Sequence, residues 1–267
     1  LGLGFDADGQ AVILAVIDPA TAIEVAADGG WIAKVPISAA GAELLNLYLP
    51  MALACRTRPL TVAHLGQSLD GRIATLEGKS RTLNGPENLT HLHRLRALCD
   101  VIIVGAGTVE CDNPQLTTRR VSGPNPVRVI LDPRRRLAAD YGIFQDKAAP
   151  TWVMCARELV AVNAPDPVRV IGVSYHNQRL DLAAVIRRLH DSRLFGIFVE
   201  GGGLTVSAFL AAGLLDRLQI AIAPLIIGSG RMGIVLPAIQ DLSQGLRPRC
   251  CRYGMGEDVL FDCRLRD

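Results

Sequence analysis

The 267-residue chain has seven cysteines, Cys55, Cys99, Cys111, Cys155, Cys250, Cys251 and Cys263, but no CxxC pair and no zinc-site spacing. A structural zinc site is thereby excluded on spacing, and the odd count argues against a secreted disulfide framework, so reduced thiols in a cytosolic protein are the simplest reading. Long hydrophobic runs are also missing. Ala11 to Ile17 and Ile220 to Ile227 fall short of a membrane span, and Leu44 to Cys55 is interrupted by Pro50. Asp6 and Asp8 break any signal peptide, so the expected compartment is the cytoplasm. A net charge of +2 with a pI near 8.2 gives no basic field of the kind nucleic-acid proteins carry. Internal repeats, low-complexity segments and a catalytic triad are absent as well.

With 49% hydrophobic and 20% charged residues the chain is globular, long enough for one large domain or a domain plus an appendage. Residues 1–58 differ in texture from the rest: a strand-like run at Ala11 to Ile17, turn signals at Asp28-Gly29-Gly30, and a helical pattern from Ala39 to Leu53. They carry no recognisable chemistry. Arg56 to Pro59, RTRP, reads as a linker, because Pro59 biases Arg58 away from helix. From Leu60 onward strands alternate with helices. LTVAHL (60–65) is a strand followed by the turn-rich GQSLDGR, and Pro86 and Glu87 open a helix with Leu92, Leu95 and Cys99 on one stripe. Further strands are expected at 101–105, 127–131, 152–155, 168–173 and 195–199, with a helix at 181–190. That alternation implies a mainly parallel, doubly wound α/β sheet. Leu218 to Ala223 and Val259 to Leu265 lack an intervening helix, so that edge is expected to be antiparallel.

The most informative stretch is FGIFVEGGGLTVSA (195–208), an apolar strand that stops at Glu200 and then at Gly201, Gly202 and Gly203. A helical pattern follows, so the glycines feed a helix N-terminus whose free N–H groups and dipole favour an anion such as a dinucleotide pyrophosphate. The spacing is not GxGxxG, and a glycine run after a strand is also simply a turn. VIIVG (101–105) runs into a second such corner, Gly105-Ala106-Gly107-Thr108. In an open parallel sheet both corners lie on the ligand-binding rim. Glu200 itself ends an apolar strand, where a carboxylate is costly unless something pairs with it.

QSLDGRIAT (67–75), HRLRALCDVIIVGAGTV (93–109), DNPQLTTR (112–119), NPVRVILD (125–132), VEGGG (199–203), FLAAGLLDRL (209–218) and APLIIGSG (223–230) together resemble the reductase domain of the bacterial riboflavin-biosynthesis deaminase/reductase. The resemblance covers residues 59–267 and not residues 1–58. It implies a dihydrofolate-reductase-like fold, a homodimer, and NADPH-dependent reduction of the ribosyl group of 5-amino-6-(5-phosphoribosylamino)uracil. Related alternatives are reduction of another pterin- or pyrimidine-like heterocycle, or nucleotide binding without turnover. By matching position, Gly66, Thr82, Thr108, Asp112 and Gly202, Gly203, Leu204, Thr205, Val206, Ser207 and Ala208 are expected at the cofactor. Ser80, Arg96, Leu116, Arg119 and Glu200 are expected at the substrate, with Arg96 and Arg119 supplying guanidinium forks for its phosphate. Hydride transfer needs no protein nucleophile, which accounts for the missing triad.

Read without the resemblance, Arg96 is a solvated residue beside an apolar stripe, Asp112 and Asp70 are turn residues, and His91 and His93 diverge on one helix, against a shared metal. The chain also departs from the family pattern. Thr82 stands where a tryptophan is common, Asn113 where a second aspartate stands, and Pro133 where a small hydroxyl residue meets the cofactor. Arg134, Arg135 and Arg136 follow Pro133 and could serve an adenosine 2′-phosphate, or form a solvated loop. The HxE and PCxxC motifs of a zinc deaminase do not occur, so deamination is expected of another protein.

Overall fold

The structure, a computed structural model, describes residues 2–5, 11–14, 22–26, 30–80, 83–160 and 168–266. It divides into two compact units, residues 1–53 and 54–267. The first unit holds β1 (Gly2–Phe5), β2 (Ala11–Leu14), β3 (Ile23–Val25), β4 (Trp31–Ala33) and helix α1 (Ala39–Ala52), the strands forming a sheet in the order β2-β1-β3-β4. Ser38 caps α1 by accepting the N–H of Gly41 at 3.1 Å, the interaction its hydroxyl is suited to. The strand expected to continue to Ile17 and the turn at Asp28-Gly29 extend into residues outside those described. The RTRP segment is a tight turn, in which Cys55 and Arg58 exchange both backbone hydrogen bonds at 3.0 Å.

The second unit begins with β5 (Leu60–Ser68), β6 (Arg72–Thr75), α2 (Pro86–Leu98), β7 (Val101–Gly105), α3 (Ala106–Asp112), β8 (Val127–Leu131), α4 (Gly142–Gln145), β9 (Thr151–Ala156) and β10 (Arg169–Val173). It continues with the hairpin β11 (Tyr175–His176) and β12 (Arg179–Leu180), then α5 (Leu182–Asp191), β13 (Gly196–Val199), α6 (Gly203–Ala211), β14 (Arg217–Ala223), β15 (Gly230–Met232), β16 (Arg249–Met255) and β17 (Asp258–Arg264). Nine strands form one sheet in the order β10-β9-β8-β7-β13-β5-β14-β17-β16. Every pairing from β10 to β14 is parallel, and β14-β17 and β17-β16 are antiparallel, so the sheet is mainly parallel with an antiparallel edge. The central strands are apolar runs buried on both faces, as parallel strands must be: Val101 to Val104 and Ile197 to Val199 have no exposed surface. After β10 the chain returns to insert β13 between β7 and β5, which places two successive strand-to-helix corners side by side.

Three local expectations change. β5 continues through Gly66 to Ser68, so the turn is shorter than GQSLDGR, and it closes on Gly71 at φ +77°, a conformation glycine adopts freely. The buried face of α2 includes Asn88, His91, His93 and Arg96 besides Leu95, whereas Leu92 is only partly buried. A polar face can be buried there because each of those side chains finds a partner on the sheet or an adjoining loop. Strand β16 gave no signal in the sequence because most of its RCCRYGM side chains are exposed, as befits an edge.

Candidate active site

β7 and β13 are adjacent and parallel, so their carboxyl ends open on one rim, and α3 and α6 start there. The N-caps Gly105 and Gly202 are both extended, and neither helix start has a side-chain cap. The corners touch. Thr108 Oγ1 accepts the N–H of Gly202 at 3.2 Å, and Thr205 of α6 packs where a side chain on Gly105 would stand. The triple glycine separates into distinct roles. A Cβ at Gly201 would strike Thr205, and one at Gly203 would strike the backbone of Met232 and Gly233, so these two are glycine for internal packing. Gly202 would meet only Thr108 Oγ1 at 3.6 Å, and Gly107 nothing within 4 Å. Residues Gly203 and Leu204 precede Thr205, the first whose N–H turns back to the Gly202 carbonyl, and Leu204 is 81% exposed. Bare backbone donors at the positive end of α6 are therefore available to an anion.

Beside the rim a cluster of charge forms between α2, the end of β13 and the loop after α3. Arg96 donates from Nε to Glu200 Oε2 at 2.8 Å and from Nη2 to Oε1 at 2.5 Å, and from Nη1 to the Thr117 carbonyl at 3.0 Å. Arg96 is thus buried, with three of its five N–H donors engaged, and is not solvated. Burial works against its charge, but the Glu200 carboxylate outweighs this and raises its pKa. Arg119 is exposed and its Nη1 donates to Thr117 Oγ1 at 2.6 Å, while its backbone N–H reaches His93 Nδ1 at 2.9 Å. Partial burial, then the Arg96 charge, lower the Arg119 pKa, and burial with both cations pushes His93 down to about 4. His93 is neutral, with its proton on Nε2 because Nδ1 accepts. Of the two expected phosphate forks, that of Arg96 holds Glu200, and Arg119 retains donors for an anion.

The remaining expected residues lie on several elements. Ser80 lies partly buried between β6 and α2, and Leu116 is buried after α3 at φ +53°, a strained backbone for leucine. Asp112 ends α3, about 9 Å along the axis from its first residue. Gly66 is glycine because Asn84 occupies the space of its Cβ, and Asn84 in turn donates to Asp258 at 3.1 Å. Val206 is fully buried, and Ser207 Oγ accepts the Val235 N–H at 2.8 Å, so both side chains face inward, while Ala208 is partly buried. Thr82 lies outside the described residues. Asp70 accepts from Ser68 Oγ and from the N–H groups of Ile227 and Gly228, led by Ser68 its pKa falls to about 2, and its work is to tie two turns together.

Sequence reasoning missed His93, Thr117 and Asp132. His93 was legible in principle, since i and i+3 on a helix are neighbours and Arg96 was already singled out. Thr117 gave no signal. Buried Asp132 accepts the N–H groups of Arg136 and Leu137 at 3.1 and 3.0 Å, fixing the turn that presents Arg134 and Arg136 at the end of β8, next to β7 on the same rim. Arg136 pairs with Glu110 of α3 at 2.6 Å, and Arg134 donates to Gln178 Oε1 at 2.7 Å.

Residues 59–251 match the RibD C-terminal domain. The 2,5-diamino-6-ribosylamino-4(3H)-pyrimidinone 5′-phosphate reductase of Methanothermobacter thermautotrophicus is 34% identical over 223 residues, covering 78% of this chain and 99% of that one. The riboflavin biosynthesis protein RibD of Aquifex aeolicus is 31% identical over 76% of this chain but only 57% of its own length. Among solved structures, the diaminohydroxyphosphoribosylaminopyrimidine deaminase/5-amino-6-(5-phosphoribosylamino)uracil reductase of Thermotoga maritima superposes with a TM-score of 0.66 at 26% identity, over 84% of this chain and 60% of that one.

Proposed function

The chain belongs to the RibD C-terminal domain family, and from that premise we propose that it is a riboflavin-biosynthesis reductase acting on the ribosyl group of a phosphorylated ribosylaminopyrimidine. The substrate is 5-amino-6-(5-phosphoribosylamino)uracil or its 2-amino counterpart, the pyrimidinone for which the archaeal relative is named. The observation that carries the reading is the pairing of two glycine corners on one rim with a guanidinium-rich cluster beside them. Bound NADPH supplies the hydride. The residues present fit such a cofactor: Gly203 and Leu204 offer backbone donors without a side-chain cap for the pyrophosphate, Gly202 and Thr205 shape the corner, and Thr108 fixes it. Gly66, Asp112, Val206, Ser207 and Ala208 complete its surroundings, the inward-facing ones by shaping the backbone.

Preference for NADPH over NADH belongs to Arg134 and Arg136, which the Asp132 turn holds at the adjoining strand end. On the substrate side Arg119 receives the phosphate, and Arg96 holds Glu200 in place so that its carboxylate can accept from the sugar hydroxyls and amine. Ser80 and Leu116 border that space. Such alignment of donor and acceptor is the protein's main contribution to a hydride transfer. The working form is a cytoplasmic homodimer; exposed Leu225, Ile226 and Met232 offer the kind of apolar surface a second copy covers. Loss of reduced-nicotinamide absorbance on mixing protein, NADPH and either phosphorylated pyrimidine is the test. Turnover that disappears with the dephosphorylated compound is expected, and no turnover with either phosphorylated form would overturn the assignment.

A further inference from the structure

The antiparallel edge holds a feature that reduction of a pyrimidine does not use. Cys250 on β16 stands directly opposite Cys263 on β17, and their sulfur atoms are 3.2 Å apart. Directly opposed residues of antiparallel strands have Cα atoms about 4.5–5.5 Å apart. Disulfides span Cα separations of about 4.4–6.8 Å, so the backbone needs no rearrangement to accept a bond here. The two thiols differ in access. Cys250 is exposed on the edge strand, whereas Cys263 is buried, and burial followed by the hydrogen bond with Cys250 pushes its thiol up to about 12. Cys251, although adjacent in sequence, is opposite Asp262, and as the neighbour of Cys250 in a strand it points to the other face of the sheet.

We propose that Cys250 and Cys263 form a reversible intrachain disulfide by exchange with a small-molecule disulfide. In the first step the Cys250 thiolate attacks one sulfur of the reagent, a bond forms between Cys250 and that sulfur, and the other half leaves as a thiol after taking up a proton. In the second, Cys263 loses its proton and attacks the Cys250 sulfur, and the second half of the reagent departs as a thiol. Two protein thiols are oxidised and one disulfide is reduced to two thiols, so protons and electrons balance. Cys250 leads because it is the accessible partner, and Cys263 resolves because it already touches the sulfur it must attack. The site is chemically separate from the rim, since it lies on the last two strands at the antiparallel edge of the sheet.

The reagent for the test is glutathione disulfide, titrated against reduced glutathione with the full chain, followed by alkylation, peptide mass mapping and a non-reducing gel. Expected are the joint loss of the Cys250 and Cys263 thiols, a linked peptide joining β16 to β17, a monomeric band on the gel, and recovery of both thiols with dithiothreitol. Cys250→Ser should protect Cys263 from oxidation, and Cys263→Ser should leave Cys250 as a lasting glutathione adduct. Because Cys263 is buried and its replacement could impair folding, the Cys250→Ser result decides alone if needed. A lasting adduct on Cys250 in the unaltered protein, a link through Cys251, or a bond between two chains would each overturn the proposal.

Discussion

Two buried arginine–carboxylate pairs sit on the same sheet and serve different ends. Arg96–Glu200 lies beside the parallel rim with side-chain exposures of 9% and 19%, and Arg217–Asp262 lies in the antiparallel edge with 7% and 2%. At the edge both oxygens of the carboxylate are answered from within. Arg217 Nη1 donates to Asp262 Oδ2 at 2.8 Å, Gln219 Nε2 donates to Oδ1 at 3.1 Å, and His91 Nε2 meets Gln219 Oε1 at 2.8 Å. At the rim a second cation, Arg119, stands beside Arg96; partial burial and the Arg96 charge lower its affinity for protons, and burial with both cations lowers that of His93. The sealed pair holds strands β14 and β17 in register, whereas the open pair carries excess positive charge that an anionic ligand would relieve. The difference is one of access and surplus charge, since the pairing chemistry is the same.

Substitutions that remove one partner from each pair should separate these roles. The largest effect is expected from Asp262→Asn, which leaves Arg217 buried beside a neutral amide. A loss of about 3 kcal/mol in urea unfolding is expected, with the KM of the surviving folded enzyme unchanged. An altered KM with little loss of stability would erase the contrast. Next is Glu200→Gln, which should lower kcat/KM for the phosphorylated pyrimidine about 100-fold, or ~2.7 kcal/mol, while NADPH affinity stays within a few-fold. Equal losses for substrate and cofactor would mean that Glu200 does not face the substrate. Arg119→Ala should raise the KM of the phosphorylated substrate about tenfold, or ~1.4 kcal/mol, with little change in melting temperature, because the residue is exposed.

The smallest and most diagnostic effect concerns pH. Burial, only partly offset by Asn88, lowers His64 to about 4, and burial followed by the His64 charge lowers His91 to about 3, both from 6.5. Between these values and 6.5 the unfolded chain binds more protons than the folded one, so stability rises with pH through that interval and is lost as pH falls from about 6.5 toward 4. Melting temperatures across this range should show the slope, and His91→Gln should flatten it. An unchanged slope would place the titrating groups elsewhere.

How much of this was legible depends on the range of the interaction. Strand VIIVG announces itself by composition, and so does the run into Glu200, because apolar residues buried on both faces of a parallel sheet need no partner to be recognised. That Glu200 needed a counter-charge also followed from the sequence, through the cost of burying a lone carboxylate. Which cation answers it did not. Arg96 lies 104 positions away, and only the packing of α2 against β13 brings the two together. For the same reason Gly201 and Gly203 look identical to Gly202 in the sequence and differ only through Thr205 and Gly233.

The sequence by itself determined the alternation of strands and helices, the two glycine corners and the family, since these are properties of local pattern and short motifs. Tertiary structure alone decided that the corners adjoin, that Arg96 meets Glu200, and that Cys250 meets Cys263. Each of those facts depends on which strands become neighbours, and strand order is set by burial of the whole sheet rather than by any one segment of it.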